Sequence, residues 1–338
     1  MIIVKLKKCI SAILMVSAFC RLSAQDIQLR FNDEGQFKIA QFTDMHLVLG
    51  ASEYCDVQAE KTFARLKNVV DAENPDFLVF TGDIVAGGVA SEGWGALLDS
   101  LNSYKIPFCV VFGNHDPENE LTRAQMSALI AASPYSLNEL NSVGELADME
   151  LEVLPSKKGN APFVMYCMDS HDYSKIPQAG YYGWFEREQV QWLIDRCGDR
   201  TKSNGGKPVP SMAFFHICLQ EFGPAWNNPH NSHIGRKAEN ECPGALNTGM
   251  FAGMVETGSI MAVFVGHDHD NDYVVAEKGI ALGYGRFSGG DTVYNNLRPG
   301  ARIIVVNEGH RSFDSWIRED DGRVVDKMTF KDGKIINR

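Results

Sequence analysis

The chain of 338 residues is long enough for one large domain or two, and its 44% hydrophobic content is ordinary for a globular protein with a sizeable core. Its formal net charge of -11, with no cluster of Lys and Arg in the mature part, argues against nucleic acid as a stable partner.

Residues 1–24 have the three-part layout of a secretory signal peptide. Three lysines lead into an apolar run that ends at Phe19, and Leu-Ser-Ala closes the segment. A lipoprotein acylated at Cys20 is the alternative, which the bulky Phe19 disfavours. We expect a mature chain over residues 25–338 that is periplasmic or secreted, and no later stretch is apolar enough for a membrane span.

Apolar runs and helical periodicity alternate in the first half of the mature chain, which is typical of a layered α/β fold. Residues 117–160 are polar with one amphipathic helix, and we interpret them as a peripheral elaboration. The predicted strands are 37–42, 77–80 and 108–112, and the predicted helices between them are 57–72 and 94–101.

The second half continues with apolar strands around a long irregular segment, residues 219–246, and loops of that length are usually functional or disordered. Cys218 and Cys242 flank this segment and are the candidate disulfide pair. We expect the last strands to complete a second sheet and, with no repeat or linker, a single domain. The predicted strands are 163–168, 212–215, 261–265, 280–282, 302–306 and 312–317, and the predicted helices are 186–196 and 250–256.

Five of these strands are followed by polar side chains that can bind metals, at the strand ends where open α/β sheets form ligand sites. Seven ligands are too many for one tetrahedral zinc ion but suit two ions that share a carboxylate. Asp83 is the natural bridge, because a carboxylate has two oxygens whereas each imidazole offers one lone pair. The candidate ligands are Asp44, His46, Asp83, Asn114, His216, His267 and His269.

Two such cations, roughly 3.5–4 Å apart, can lower the pKa of a trapped water and clamp both oxygens of an in-line displacement. Hydrolysis of a phosphate ester requires both effects. Taken singly the motifs are weak, since Asp-x-His is common, Gly-Asp is more often a turn and a lone His is more often a core residue. Their occurrence in this order, each after an apolar strand, makes chance a poor explanation.

The motifs together resemble the five-block signature of the calcineurin-like metallophosphoesterases, over essentially the whole mature chain. Later segments are similar, more narrowly, to the branch that includes yeast Dcr2-type phosphatases and plant purple-acid-phosphatase-29-like proteins. The general signature is Asp44-x-His46, Gly82-Asp83, Gly113-Asn114-His115-Asp116, His216 and Gly266-His267-x-His269, and the branch motifs include Asn247-x-Gly249-Met250-Phe251 and Gly283-Tyr284-Gly285-Arg286.

The resemblance implies an α/β (α+β) four-layer fold, in which two packed mixed sheets are flanked by helices. It implies one metal at Asp44, His46, Asp83 and His269, and the other at Asp83, Asn114, His216 and His267. Ala86 stands where purple acid phosphatases have a tyrosine ligand. We therefore expect two divalent transition-metal ions, Mn, Fe or Zn, rather than an iron–tyrosinate centre.

Three further residues are candidates for substrate chemistry. His115 adjoins a ligand, and we expect it to donate a hydrogen bond or proton to the leaving oxygen, with Asp116 setting its tautomer. Its alternative role is to order the loop. Arg286 is a candidate phosphate clamp, because guanidinium binds phosphate bidentately, and an ordinary surface arginine is the alternative.

The sequence thus predicts an exported two-metal hydrolase, a phosphomonoesterase acting on a small phosphorylated substrate or a phosphoprotein. A phosphodiesterase for cyclic nucleotides, nucleic-acid ends or lipid head groups is the first alternative, because the same metals serve both classes. A non-catalytic binding protein that retained the fold is the second alternative.

Overall fold

The structure is a computed structural model that describes residues 27–337. The predicted signal peptide lies outside the described residues, so its cleavage stays a prediction. Between residues 27 and 337 no helix combines the length and apolar character that a membrane span needs. The helices there are α1 (Glu53–Glu73), α2 (Ala90–Tyr104), α3 (Arg123–Ala131), α4 (Arg187–Ser203), α5 (Phe222–Asn227) and α6 (Met250–Thr257).

The strands of the described range include short edge strands that the apolar pattern did not indicate. They are β1 (Leu29–Arg30), β2 (Gln36–Phe42), β3 (Leu47–Leu49), β4 (Phe77–Thr81), β5 (Val85–Gly88), β6 (Phe108–Val111), β7 (Met149–Leu154), β8 (Phe163–Cys167), β9 (Ser211–Phe214), β10 (His233–Ile234), β11 (Ile260–Val265), β12 (Val274–Glu277), β13 (Ile280–Tyr284), β14 (Gly300–Asn307), β15 (Ser312–Glu319), β16 (Val324–Lys331) and β17 (Lys334–Asn337).

Two large mixed sheets contain most of these strands. The first sheet has the order β17-β16-β15-β14-β2-β4-β6, and the second has the order β1-β7-β8-β9-β11-β13-β12-β10. Strands β2, β4 and β6 are parallel, as are β8, β9, β11 and β13. Since parallel strands end at one edge of their sheet, the polar residues that follow them collect there.

The hydrophobic core lies between the two sheets, with a further apolar cluster under the helices on each outer face. Phe77 and Cys109 of the first sheet meet Phe214 and Phe264 of the second. Helices α1, α2 and α3 cover the first sheet, and α4 and α6 cover the second. The predicted four-layer α/β fold, with two packed mixed sheets between helices, is confirmed.

Helix α1 illustrates how local sequence sets an element. The Ser52 side chain accepts a hydrogen bond from the Cys55 N–H and caps the helix, as its type favours. Leu66, Val69 and Val70 form the buried face at helical spacing. The helix ends at Asn74, which takes the left-handed conformation that this residue tolerates. The apolar spacing and the stop before Pro75 predicted this helix, but the cap at Ser52 starts it at Glu53, earlier than the predicted residue 57.

Residues 117–160 are not wholly peripheral, which corrects the interpretation of that segment. Strand β7 pairs antiparallel with β8 inside the second sheet. Its residues alternate in burial, so that Met149, Leu151 and Val153 point inward while Glu150 and Glu152 are more exposed. The alternating acids made a half-buried strand read as polar.

The last strands also differ from expectation, because β14 pairs antiparallel with β2 and so extends the first sheet. Of the last three predicted strands, β13 lies in the second sheet as expected, whereas β14 and β15 belong to the first sheet. Cys218 and Cys242 are both free thiols, one buried and the other exposed, so the predicted disulfide pair is wrong.

Candidate metal centre

The candidate ligands sit on backbone that is held in an uncommon conformation. Left-handed φ values are costly for residues other than glycine and cluster at functional sites. Hydrogen bonds between the loops hold this geometry, from Asp44 N to Gly82 O at 3.0 Å and from His46 N to Asp83 O at 2.9 Å. The left-handed ligands are Asp44 (φ 52°), His46 (40°), Asp83 (52°) and His267 (78°).

Two glycines of the motifs are required by close packing of the strand ends. A Cβ atom at Gly82 would lie 2.3 Å from Nδ1 of His216. A Cβ atom at Gly113 would lie 2.2 Å from Oδ1 of Asp83. Any side chain at either position would displace a candidate ligand, so these glycines let loops from different strands share one small space.

Asp44, His46, Asp83 and His269 form one half of the centre, and all four are buried. Nδ1 of His269 lies 2.8 Å from the carbonyl oxygen of Tyr294 and therefore donates to it. In the neutral ring, Nε2 then carries a lone pair. Nε2 of His46 lies 3.1 Å from this Nε2. Two ring nitrogens thus converge on one small space, in which either a single N–H donated by His46 or a metal ion can lie.

Asp83, Asn114, His216 and His267 form the other half. Nδ1 of His216 donates to the carbonyl oxygen of Thr81 at 2.8 Å, which leaves its Nε2 as the acceptor of the neutral ring. Around this Nε2 lie Oδ2 of Asp83 at 3.1 Å, Oδ1 of Asn114 at 3.2 Å and Nδ1 of His267 at 3.3 Å. The arrangement gathers acceptors around a point where a cation is needed.

The pKa shifts of the site histidines follow from burial and from the charge of Asp83. Burial lowers the pKa of His46 to about 3 and that of His267 well below its usual value, so both rings present lone pairs at neutral pH. Burial also acts to lower the pKa of His216, but the charge of Asp83 outweighs it and raises that pKa to about 10. Where acceptors crowd together, a proton or a metal ion is bound tightly.

The residues present fit two metal ions. The Asp and His ligand atoms within each half lie within 4.8 Å of one another, and Asp83 belongs to both halves. Oδ1 of Asn114 lies 3.2 Å from Nε2 of His216. The buried Nε2 of His267 has no hydrogen-bond partner among the described residues. Imidazole with carboxylate and amide oxygens suits Mn, Fe or Zn. The seven sequence-predicted ligands are therefore brought together at one edge, arranged for a dinuclear site.

His115 lies at the open side of this centre, and its side chain is 40% exposed. Its backbone N–H donates to Oδ1 of Asp83 at 2.8 Å, and its ring lies 5.4 Å from that of His46. Nδ1 faces Oε2 of Glu118 at 2.6 Å. The ring is therefore oriented by Glu118, which the sequence analysis did not identify.

The role predicted for Asp116 is corrected by its contacts. Its buried carboxylate accepts backbone N–H groups of Gly113, Asp83, Ile84 and Val85 at 2.7–3.1 Å and has no hydrogen bond to the ring of His115. Burial and the charge of Asp83 raise the pKa of Asp116 to about 6. Asp116 ties the Asn114 loop to the Asp83 loop, so it positions ligands rather than touching substrate.

The role predicted for Arg286 is also wrong, because Arg286 is only 2% exposed and is not available as a phosphate clamp. Its guanidinium pairs with Asp272, lies 3.3 Å from Oε1 of Glu319, and donates to the carbonyl oxygen of Arg298 at 2.6 Å. The glycine before it permits tight packing, since a Cβ atom at Gly285 would lie 2.8 Å from Cγ2 of Thr43. Arg286 is a structural residue.

Tyrosines that sequence reasoning missed line the same side as His115. The hydroxyl of Tyr173 accepts from Nδ2 of Asn114 at 3.1 Å and donates to Oε1 of Glu118 at 2.6 Å. The ring of Tyr182 packs edge-on against His267, with centroids 4.4 Å apart. No motif or periodicity marks these residues, and the only available signal was the pair of adjacent tyrosines at 181 and 182.

Comparison with known proteins adds a family match over residues 37–271, described as calcineurin-like phosphoesterase. The chain is 31% identical over 331 residues to "Probable inactive purple acid phosphatase 29" of Arabidopsis thaliana, covering 87% of this chain and 82% of the relative. It is 30% identical over 328 residues to "Phosphatase DCR2" of Saccharomyces cerevisiae, covering 86% of this chain and 55% of that protein.

Among solved structures, a dimetal phosphatase from Danio rerio superimposes with a TM-score of 0.59 at 14% identity, covering 87% of this chain and 98% of that chain. At this identity the likeness supports the fold alone. It agrees with the two sheets and outer helices described above.

Proposed function

Because the chain belongs to the calcineurin-like phosphoesterase family, as its motifs predicted, we propose that it is a two-metal phosphatase that hydrolyses phosphate monoesters. Its cofactors are two divalent transition-metal ions, Mn, Fe or Zn. Its substrate is a small phosphorylated molecule or a phosphoprotein. The observation that carries the proposal is the convergence of acceptors around Nε2 of His216, with Asp83 shared between two halves.

Each group of the site has a defined task in this reaction. Two bound cations supply an activated water and neutralise charge on the phosphate. Asp83 holds the two halves together, and Asp116 fixes the loops of Asp83 and Asn114 through backbone hydrogen bonds. His115 lies beside the ligands with Glu118 at its Nδ1, so its other nitrogen is placed to hold a proton for the leaving oxygen.

A binding protein that retained the fold is the second candidate, because relatives are named "Probable inactive" purple acid phosphatases. In this chain, however, both halves of the centre are complete, and His115 has a carboxylate partner. Binding alone would not require an oriented proton donor. We therefore favour catalysis.

The test is hydrolysis of p-nitrophenyl phosphate and bis-p-nitrophenyl phosphate by the mature chain from Gln25, stripped of metal and then reconstituted with manganese. We expect metal-dependent turnover with a preference for the monoester. A preference for the diester would replace the proposal with a phosphodiesterase. Two bound metals without turnover of either ester would indicate a binding protein.

Matched variants exclude a contaminating enzyme. Asp83→Asn removes the shared carboxylate at the carboxyl end of β4. Asp76→Asn changes a carboxylate at the amino end of the same strand, where Asp76 accepts the backbone N–H of Lys38 at 2.7 Å. Activity should be lost in the first variant and retained in the second.

We also propose export to the periplasm or the exterior, supported by the signal-peptide layout of residues 1–24. Mass spectrometry of the N-terminus after expression with the native leader tests this. A mature N-terminus near Gln25 in the exported fraction is expected, and an uncleaved intracellular chain would contradict it.

A further inference from the structure

Three tyrosines are held together by a short turn that we name the tyrosine hairpin, residues 173–182. Tyr173 and Tyr182 form an antiparallel bridge, and Ser174 N donates to Tyr181 O at 2.8 Å. The ring of Tyr181 lies edge-on to both others, with centroids 5.2 Å from Tyr173 and 4.9 Å from Tyr182. The three rings therefore form one preorganised aromatic surface.

This surface is continuous with the metal centre. Tyr182 packs on His267, and the ring of Tyr173 lies 6.5 Å from that of His115. Tyr181 packs on neither histidine, and 70% of the residue is exposed. The rings of Tyr173 and Tyr182 nevertheless fix its position. An exposed, oriented aromatic ring beside a catalytic centre is the usual form of an apolar recognition element.

A fourth tyrosine lies on the other side of the centre. The ring of Tyr294 stacks on His269 with centroids 4.4 Å apart and an interplanar angle of 21°, and Tyr294 is 56% exposed. His267 and His269 belong to different halves of the metal site. The mouth of the centre thus has exposed aromatic rings on both sides.

The organic part of a phosphate ester must leave the metal centre through this mouth. We propose that the substrate is a monoester whose organic part is aromatic and packs against the tyrosine hairpin, with Tyr181 as the specificity-determining residue. This inference rests on the proposed function for its phosphate, but the aromatic subsite itself can be tested by binding.

Charge at the mouth restricts the substrate further. The hydroxyl of Tyr173 donates to Glu118, and the hydroxyl of Tyr294 lies 3.1 Å from Oε2 of Glu239. Carboxylates therefore flank the aromatic rings on both sides of the mouth. A second phosphate on the organic part would be repelled, so the favoured group is aromatic and carries no further anion.

Binding of phosphonates separates aromatic recognition from leaving-group chemistry. The probes are 2-phenylethylphosphonate and 2-cyclohexylethylphosphonate, measured by calorimetry on the metal-loaded protein and on Tyr181→Phe, Tyr181→Leu and Tyr181→Ala. We expect the phenyl probe to bind about fivefold more tightly than the cyclohexyl probe, as for one aromatic pair. Tyr181→Phe should keep this ratio, and the other two variants should bring it close to one.

A ratio near one in the unmodified protein, a ratio that survives Tyr181→Ala, or failure of both probes to bind would overturn the inference. Hydrolysis of the corresponding phosphate esters, whose alcohols have nearly equal acidity, separates the two proposals. If the probes bind as expected and neither ester is hydrolysed, the aromatic subsite stands and the phosphatase proposal fails. If both esters are hydrolysed equally and the binding ratio is one, the phosphatase proposal stands and the aromatic subsite fails.

Discussion

Two buried polar clusters in this protein differ in how their charges are balanced. In the metal centre, Nε2 of His216 meets oxygens of Asp83 and Asn114, so a neutral ring would leave acceptors facing acceptors, and a proton or a metal ion has to lie between them. In the second cluster, donors face acceptors. We name this second set the arginine cluster, and its members are Asp272, Arg286, Arg302 and Glu319, all buried.

The charges of the arginine cluster are paired within the chain, although the buried Nε of Arg286 has no hydrogen-bond partner among the described residues. Arg286 pairs with Asp272 and Glu319, while Arg302 donates to the carbonyl oxygen of Tyr284 at 2.6 Å and to Oγ of Ser315 at 3.0 Å. Burial lowers the pKa of Arg302 to about 10, which still leaves it charged at neutral pH. Such a cluster needs no ligand to complete it.

Burial of charged residues therefore does not by itself mark a functional site. What distinguishes the metal centre is the sign of its imbalance, an excess of lone pairs over protons that an added cation would correct. The arginine cluster should therefore respond to mutation through stability, and the metal centre through metal binding and turnover.

Metal binding should produce the largest difference between the clusters. We expect Mn²⁺ at about a thousand times its dissociation constant to raise the free energy of unfolding by about 4 kcal/mol, because the folded state alone assembles the site. Urea denaturation with and without metal measures this. Asp83→Asn should lose the increment, Asp76→Asn should keep it, and an equal gain in both variants would contradict the assignment of Asp83.

Breaking the arginine cluster should lower stability without affecting the reaction. Arg286→Met leaves Asp272 buried without its cation, so we expect the free energy of unfolding to fall by about 3 kcal/mol. The bound metal count and the KM of p-nitrophenyl phosphate should be unchanged under conditions where the variant is folded. Arg298→Met, at a half-exposed arginine, is the control and should be nearly neutral. A raised KM in Arg286→Met alone would restore the phosphate-clamp hypothesis.

Sequence predicted the fold, and it identified seven side chains that the folded chain brings together, because both follow from local pattern. Apolar runs set the parallel strands, and the residue types after each run are those that metals select. The edges of the sheets were harder to predict, since β14 joins β2 by pairing residues 302–307 with residues 36–41. Local periodicity carries no information about partners so distant in the chain. The acids of β7 likewise concealed a half-buried strand.

Around the ligands, prediction failed where roles depend on side-chain direction. Asp116 is adjacent to His115 in sequence, but its carboxylate turns into the loops, and Glu118, three residues after His115, reaches the ring across a turn. Arg286 similarly points into the protein. A motif specifies which residues are present, whereas the partners of each side chain are set by packing that only the folded chain supplies.

His115 should act on turnover rather than on metal content. We expect His115→Ala to lower kcat by about 100-fold, the usual contribution of a positioned acid, while two metals remain bound. The loss should be greater for 2-phenylethyl phosphate than for p-nitrophenyl phosphate, because an alkoxide needs protonation more than nitrophenolate does. Metal analysis with steady-state kinetics on both esters tests this, and loss of metal in the variant would assign His115 to the centre's structure instead.

Replacing Glu118 should have a smaller effect than the changes at Asp83, Arg286 and His115. Glu118 acts through His115 and does not contact the ligands that hold metal. Its carboxylate can only accept, so the contact of 2.6 Å places a proton on Nδ1 of His115, and its other oxygen accepts from Tyr173. Glu118→Gln removes the anion that pairs with the ring when both of its nitrogens carry protons, which is the form in which Nδ1 donates to residue 118 and Nε2 can donate to the leaving oxygen. We expect kcat to fall about tenfold with KM nearly unchanged.

The control for this variant is Glu120→Gln, two residues away, where the carboxylate accepts the backbone N–H of Ser91 at 3.0 Å and does not orient His115. Combining Glu118→Gln with His115→Ala should cost no more than His115→Ala alone, because residues that act as a unit are not additive. Additive losses would mean that Glu118 contributes independently, through Tyr173 and the mouth of the site. That result would mean that Glu118 supports the aromatic subsite and does not act by orienting the proton donor.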